Sequence, residues 1–218
     1  MSRLFITLIT LSIFPLLITS NAQAKERLYY VAAEDVYWDY APSKRNEMLG
    51  RELNEDEDVF VNASSESVGS IYKKTLYVEY EDASFTSKKK RSAEWEHLGF
   101  LGPVFRGEVG DTIKVVFKNN AQRPYSIHPH GVFYTKRAEG AEYNDGTSGI
   151  DKSDGIVQPG QSFTYEWEVR DRAGPGPNDP SSIAWLYHSH VSGVQDPSTG
   201  LIGVMIISRK GSSDTVPA

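Results

Sequence analysis

The 218-residue chain carries 23 Lys+Arg against 29 Asp+Glu, a formal net charge of −6 at pH 7. That acidic balance argues against nucleic acid and anionic membranes as partners. With no cysteine, disulfides, thiolate nucleophiles and cysteine-held metals are excluded from this chain, so any exported form depends on its packed core alone.

At the N-terminus, Arg3 precedes the apolar run "LFITLITLSIFPLLI", and Ala22 and Ala24 follow in an Ala-x-Ala pattern. This order reads as a secretory signal peptide over residues 1–24, with a secreted or periplasmic mature chain beginning at Lys25. No later segment is apolar enough to span a bilayer, so no membrane span is expected once the leader is removed. "RLYYVAA" then reads as a first strand. The stretch from about Pro42 to Ser70 is polar and acidic, and its "ELNEDEDVF" reads as a solvated loop rather than a metal site. "TLYVEY", "PVFRGEV", "TIKVVFKN", "YSIHPH", "FTYEWEV", "IAWLYHSH" and "LIGVMII" follow as further strands, rich in β-branched and aromatic residues. Ile113, Val115 and Phe117 share one strand face, as do Phe163, Tyr165, Trp167 and Val169. Val109-Gly110-Asp111, Pro159-Gly160 and "AGPGPNDPSS" supply the turns. No sustained helical period appears. The expectation is an all-β Greek-key barrel or sandwich, one domain over residues 25–218 with an irregular insertion around 42–70.

Of five histidines, four sit in two His-x-His pairs, in "YSIHPHGVFY" and "AWLYHSHVSG". Residues i and i+2 of a strand project from the same face, so His128 neighbours His130 and His188 neighbours His190. Neutral imidazole is the commonest metal ligand, and an all-imidazole set suits copper, zinc, iron or nickel rather than magnesium or calcium. These four are the expected metal ligands, with no separate acid–base residue. His97, in "EWEHLGFLG", has no histidine neighbour and reads as structural.

The run "RPYSIHPHGVFY…EGAEYNDGTSG…PGQSFTYEWEV…IAWLYHSHV…TGLIG" resembles the first cupredoxin (plastocyanin-like) domain of the ceruloplasmin–hephaestin group of multicopper oxidases. "YYVAAEDVYWDYAPS", "YKKTLYVEYEDASFT" and "LGFLGPVFRGEVGDTIKVVFKN" match the same domain in the same order. The resemblance implies copper as cofactor and a cupredoxin Greek-key barrel. It implies a share of a three-copper cluster, with His128 like the type 2 ligand and His130, His188 and His190 like ligands of the type 3 pair. It also implies oxygen-linked oxidation of a metal ion such as Fe(II).

Three departures accompany the resemblance. The group's blue copper needs a cysteine thiolate, which this chain lacks, so the cluster is expected to be completed by a second cupredoxin domain in trans or by a second copy. Ser182 and Ser208 stand where relatives carry a disulfide-forming cysteine pair. The loop "NDGTSGIDKSDG" resembles a calcium loop with Asp151 and Asp154 as carboxylates, but Gly155 replaces a further aspartate, leaving an ordinary acidic turn as the other reading. The sequence thus predicts an exported copper protein of oxidase type, with a non-enzymatic copper carrier, buffer or sensor as the alternative.

Overall fold

A computed structural model describes residues 24–212. The expected leader, apart from Ala24, lies outside the described residues. The strands are β1 (Glu26–Asp39), β2 (Arg45–Asn46), β3 (Arg51–Glu52), β4 (Ile71–Tyr80), β5 (Phe105–Glu108), β6 (Thr112–Asn119), β7 (His128–Pro129), β8 (Ser162–Glu168), β9 (Ser182–His188) and β10 (Ile202–Ser208). Among the described residues, the α-helices are two short pieces, α1 (Glu55–Asp58) and α2 (Gln195–Thr199). No helix among the described residues is long and apolar enough to cross a membrane.

Two four-stranded sheets, in the orders β4-β1-β6-β8 and β5-β10-β9-β7, enclose the core. β1 with β6 and β10 with β5 are parallel pairs; the other pairs within these two sheets are antiparallel. This is an all-β cupredoxin fold. Period-2 alternation drives it: in β6, Ile113, Val115 and Phe117 are buried while their neighbours are only half-buried, and in β8, Tyr165 and Trp167 face inward. Burying apolar side chains of that size contributes roughly 1.5–3 kcal/mol apiece. Aromatic rings fill the space between the sheets. Phe105 stacks on Tyr187 with centroids 4.3 Å apart, and the Tyr187 hydroxyl donates to the Pro103 carbonyl at 2.6 Å.

Two sequence readings need correction. "YSIHPH" forms only a two-residue strand, because the segment leaves its sheet at both ends to enter the turns around the histidines. The stretch 42–70 is less irregular than expected: it holds the β2–β3 hairpin and α1. Asn54 caps α1 by accepting from the Glu57 amide, while the Glu57 carboxylate accepts from the Asn54 amide. Two Arg51 nitrogens donate to the same carboxylate at 2.7 and 2.9 Å. These contacts, Arg51 foremost, pull the Glu57 pKa down to about 2.

Gly203 in β10 lies directly opposite Tyr187 in β9. A β-carbon there would press into the Tyr187 ring, which Phe105 and the Pro103 carbonyl hold in place. Gly203→Ala is therefore expected to destabilise the fold by about 1–3 kcal/mol through overpacking, read as a lowered urea midpoint. An unchanged midpoint would show that this ring moves freely.

Candidate metal centre

β7 pairs antiparallel with β9, and the register sets His128 directly opposite His188. The short ladder continues past the strand, where the His130 amide donates to the Leu186 carbonyl at 2.9 Å. Beyond β9, the Ser189 amide donates to the Leu201 carbonyl, so His190 leaves the sheet in a fixed direction. Sheet pairing thereby brings together two motifs that lie 58 positions apart.

The four imidazoles form one cluster. Ring centroids are 5.3 Å apart for His128–His130, 5.7 Å for His128–His188, 5.1 Å for His128–His190, 5.1 Å for His130–His188 and 5.8 Å for His188–His190. His128 is buried, His188 and His190 are half-buried, and His130 is exposed. The Tyr134 ring stands against His128 and the Tyr143 ring against His190. Sequence reasoning missed both tyrosines, since nothing in their spacing ties them to the histidines.

Backbone carbonyls orient two of the rings. The His128 Nδ1 lies 2.6 Å from the Glu139 carbonyl oxygen, and the His188 Nδ1 lies 2.9 Å from that of Ser189. A carbonyl only accepts, so each Nδ1 carries the proton and each Nε2 keeps its lone pair. The Nε2 atoms of His130 and His188 approach to 3.0 Å. Two imidazoles sharing one ion at metal–nitrogen distances of about 2.0 Å have such a spacing. Among the described residues, no three such donors gather into one ready-made coordination sphere. The set therefore fits ions that take one or two imidazoles from this chain and further ligands from elsewhere.

A buried polar bridge ties the two motifs. The Ser126 hydroxyl accepts from the His190 amide at 3.0 Å, and the Ser189 hydroxyl accepts from the Ser126 amide at 3.2 Å while donating to Asp196 at 2.7 Å. The same Asp196 oxygen accepts from the Ser192 amide. Gly131, just after His130, has φ +75°, and a β-carbon there would run into the Trp185 indole. The turn leaving the first motif thus has two independent reasons to be glycine.

The remaining expectations find clear positions. His97 is exposed, with its Nδ1 2.7 Å from the Glu94 carbonyl in a 3-10 turn, outside the cluster. Ser182 and Ser208 are direct partners across β9 and β10. Asp154 is fully buried; one carboxylate oxygen accepts from the Gly140 amide at 2.7 Å and the other has no hydrogen-bond partner. Burial pushes its pKa up. Asp151 instead faces outward, with its carboxylate 2.7 Å from Arg137.

Residues 77–212 match the family model described as "Multicopper oxidase". The chain belongs to the multicopper oxidase family. It is 43% identical over 187 residues to human ferroxidase HEPHL1, covering 85% of this chain and 16% of that protein. To human ceruloplasmin it is 45% identical over 193 residues, covering 85% and 18%. This likeness bears out the resemblance to the ceruloplasmin–hephaestin group. Among solved structures, a multicopper oxidase from Pseudomonas thermotolerans superposes with TM-score 0.51 at 18% identity, covering 86% of this chain and 31% of that one, a likeness of fold. The chain spans about a sixth of the length of the curated relatives it matches. Copper follows from family membership, and an all-imidazole donor set suits it.

Burial, followed by the neighbouring imidazoles, holds the His130 pKa below its ordinary value. For His128, burial outweighs the Glu139 carbonyl and lowers the pKa from 6.5 to about 4. A freely solvated imidazole takes a proton below about pH 6.5; for His128, burial moves that window down. Folding keeps the ring neutral where the unfolded imidazole takes a proton. The stability linked to His128 is therefore complete above about pH 6.5 and is lost as pH falls towards 4. An NMR titration of the metal-free chain is expected to place the His128 midpoint near 4, and a midpoint near 6.5 would contradict the burial argument.

Proposed function

We propose that residues 25–218 form one cupredoxin domain of a copper-dependent oxidase, whose His128, His130, His188 and His190 supply half of a type 2/type 3 copper cluster. By position, His128 serves the type 2 ion and the other three serve the type 3 pair. The observation that carries this reading is the 3.0 Å approach of two ring nitrogens from different motifs, within a cluster of four imidazoles. Copper held there supplies one-electron steps that connect oxidation of a substrate to reduction of dioxygen. The chain's own part is to bind and to orient. The Glu139 and Ser189 carbonyls fix the tautomers, the serine–aspartate bridge fixes the spacing, and burial keeps His128 neutral and ready to ligate.

A relative named as a ferroxidase aligns with 85% of this chain, which supports Fe(II) as the substrate. The exposed His130 and the pairwise donors support completion of the cluster by a second cupredoxin domain, whether in a longer chain, in trans or from a second copy. The relatives' greater length leaves room for such a domain in proteins of this kind. The apolar leader and its Ala-x-Ala pattern support export to the periplasm or outside the cell. Calcium enters this reading only at Asp154, whose partnerless buried oxygen is the one observation in its favour.

Copper titration of the chain by calorimetry, with metal analysis, tests the proposal. His130→Ala and His188→Ala are expected to weaken copper by more than the roughly tenfold to hundredfold typical of losing an outer-sphere partner, while His97→Ala leaves affinity unchanged. The loaded chain is expected to lack an intense blue band, since it offers no thiolate. Equal losses from all three variants would overturn the ligand assignment. Copper saturation with neither a cupredoxin partner nor oxygen uptake would leave the carrier reading instead.

A further inference from the structure

A second cavity lies away from the histidines, between β4, the 3-10 turn at Ala93–Leu98 and β5. Its volume is about 470 Å³, within the several-hundred-Å³ range of small-molecule sites. None of its lining residues is a histidine of the cluster or contributes to the serine–aspartate bridge. Tyr29, Trp95 and Phe100 give it aromatic walls, and buried Leu76 and Tyr77 give it an apolar floor.

The rim is basic. Lys89, Lys90, Arg91 and Arg106 line the cavity against a single carboxylate, Glu79. Two of these cations are committed to the protein. Lys89 pairs with Glu79 at 2.9 Å, and Arg91 donates to the Gly99 and Leu101 carbonyls at 2.9 and 2.5 Å. Those bonds hold the far wall, residues 99–101, in place, so the cavity is built before any ligand arrives. The other two cations are not so committed. Among the described residues, neither Lys90 nor Arg106 forms an ion pair with a carboxylate, and the Arg106 guanidinium stands over the Trp95 ring, 5.4 Å from its centroid. A positive cavity on a chain of net charge −6 is a local reversal of field, which concentrates anions at that place.

We propose that this groove is a binding site for a small aromatic anion, an aryl carboxylate or sulfonate. Its ring lies between Trp95 and Phe100, and its charged group meets Arg106 and Lys90. Each feature contributes a distinct requirement. The aromatic walls select a flat apolar body, favoured by ring stacking. The guanidinium selects a planar oxyanion, which it meets with two parallel N–H donors. A neutral ligand of the same shape leaves the Arg106 donors without a partner. The site is independent of the copper reading, so either stands if the other fails.

The test titrates the full chain with 2-naphthoate and separately with its neutral isostere 2-naphthamide, following heat by calorimetry and tryptophan fluorescence. We expect one saturable site for the carboxylate, weakened by added salt, with the amide binding about tenfold less tightly, as loss of one charge-assisted contact implies. Arg106→Gln is expected to remove most of the carboxylate's advantage over the amide, the remainder being due to Lys90, while leaving the amide itself unchanged. Near-UV circular dichroism checks that the variant is folded. Should it not fold, the naphthoate–naphthamide difference in the unaltered chain decides alone, and Lys90→Gln, an exposed position, gives the smaller loss expected of the second cation. Equal affinity for acid and amide, or no saturable binding of 2-naphthoate at millimolar concentration, would overturn the proposal.

Discussion

The antiparallel register between β7 and β9 is the constraint on which the four-histidine cluster depends. It sets His128 opposite His188 and Pro129 opposite Tyr187. A slip of one residue would turn every side chain of β7 to the other face and carry His128 and His130 away from the second motif. Two residues of strand are too few to hold a register by themselves. The anchor is Tyr187, buried between the sheets, stacked on Phe105 and bonded to the Pro103 carbonyl. The aromatic core therefore positions β9, β9 positions β7, and the histidines follow.

Polar contacts refine what packing sets. Ser126 sits two residues before His128, and Ser189 lies between His188 and His190. Both are fully buried, and their hydroxyls join the two motifs to each other and to Asp196. Buried hydroxyls and carboxylates are costly unless paired, so this network confines the second motif to one arrangement. Within the cluster, burial and mutual repulsion both oppose protonation of His128 and His130. The carbonyl-held Nδ1 atoms of His128 and His188 leave the Nε2 lone pairs of those two rings facing into the cluster, available to a cation from outside.

Much of the fold was legible because period-2 alternation is a local signal. Ile113, Val115 and Phe117 in β6, and Tyr165 and Trp167 in β8, face the core as their spacing requires. The pairing of the two His-x-His motifs was legible for a different reason, since four of five histidines in two identical spacings is a compositional oddity. The hairpin and helix within 42–70 were missed although Asn54 and Glu57 stand three residues apart, the spacing of a capping box. A four-residue helix has no hydrophobic period to accompany its cap, and the surrounding carboxylates read as loop. Tyr134, Tyr143 and the Ser126–Ser189–Asp196 bridge were invisible for a plainer reason. Their contacts to the motifs depend on three-dimensional packing, which leaves no spacing rule in the chain.

Strand register, rather than any local motif, gathers two distant histidine pairs into one cluster, and the proposed function has copper bind there. Anomalous diffraction at the copper edge from copper-loaded crystals tests it most directly. The account predicts a copper peak shared by the Nε2 atoms of His130 and His188, with the Nδ1 atoms of His128 and His188 still turned to their carbonyls. Copper at His97, on the Nδ1 atoms, or on one motif without the other would contradict it.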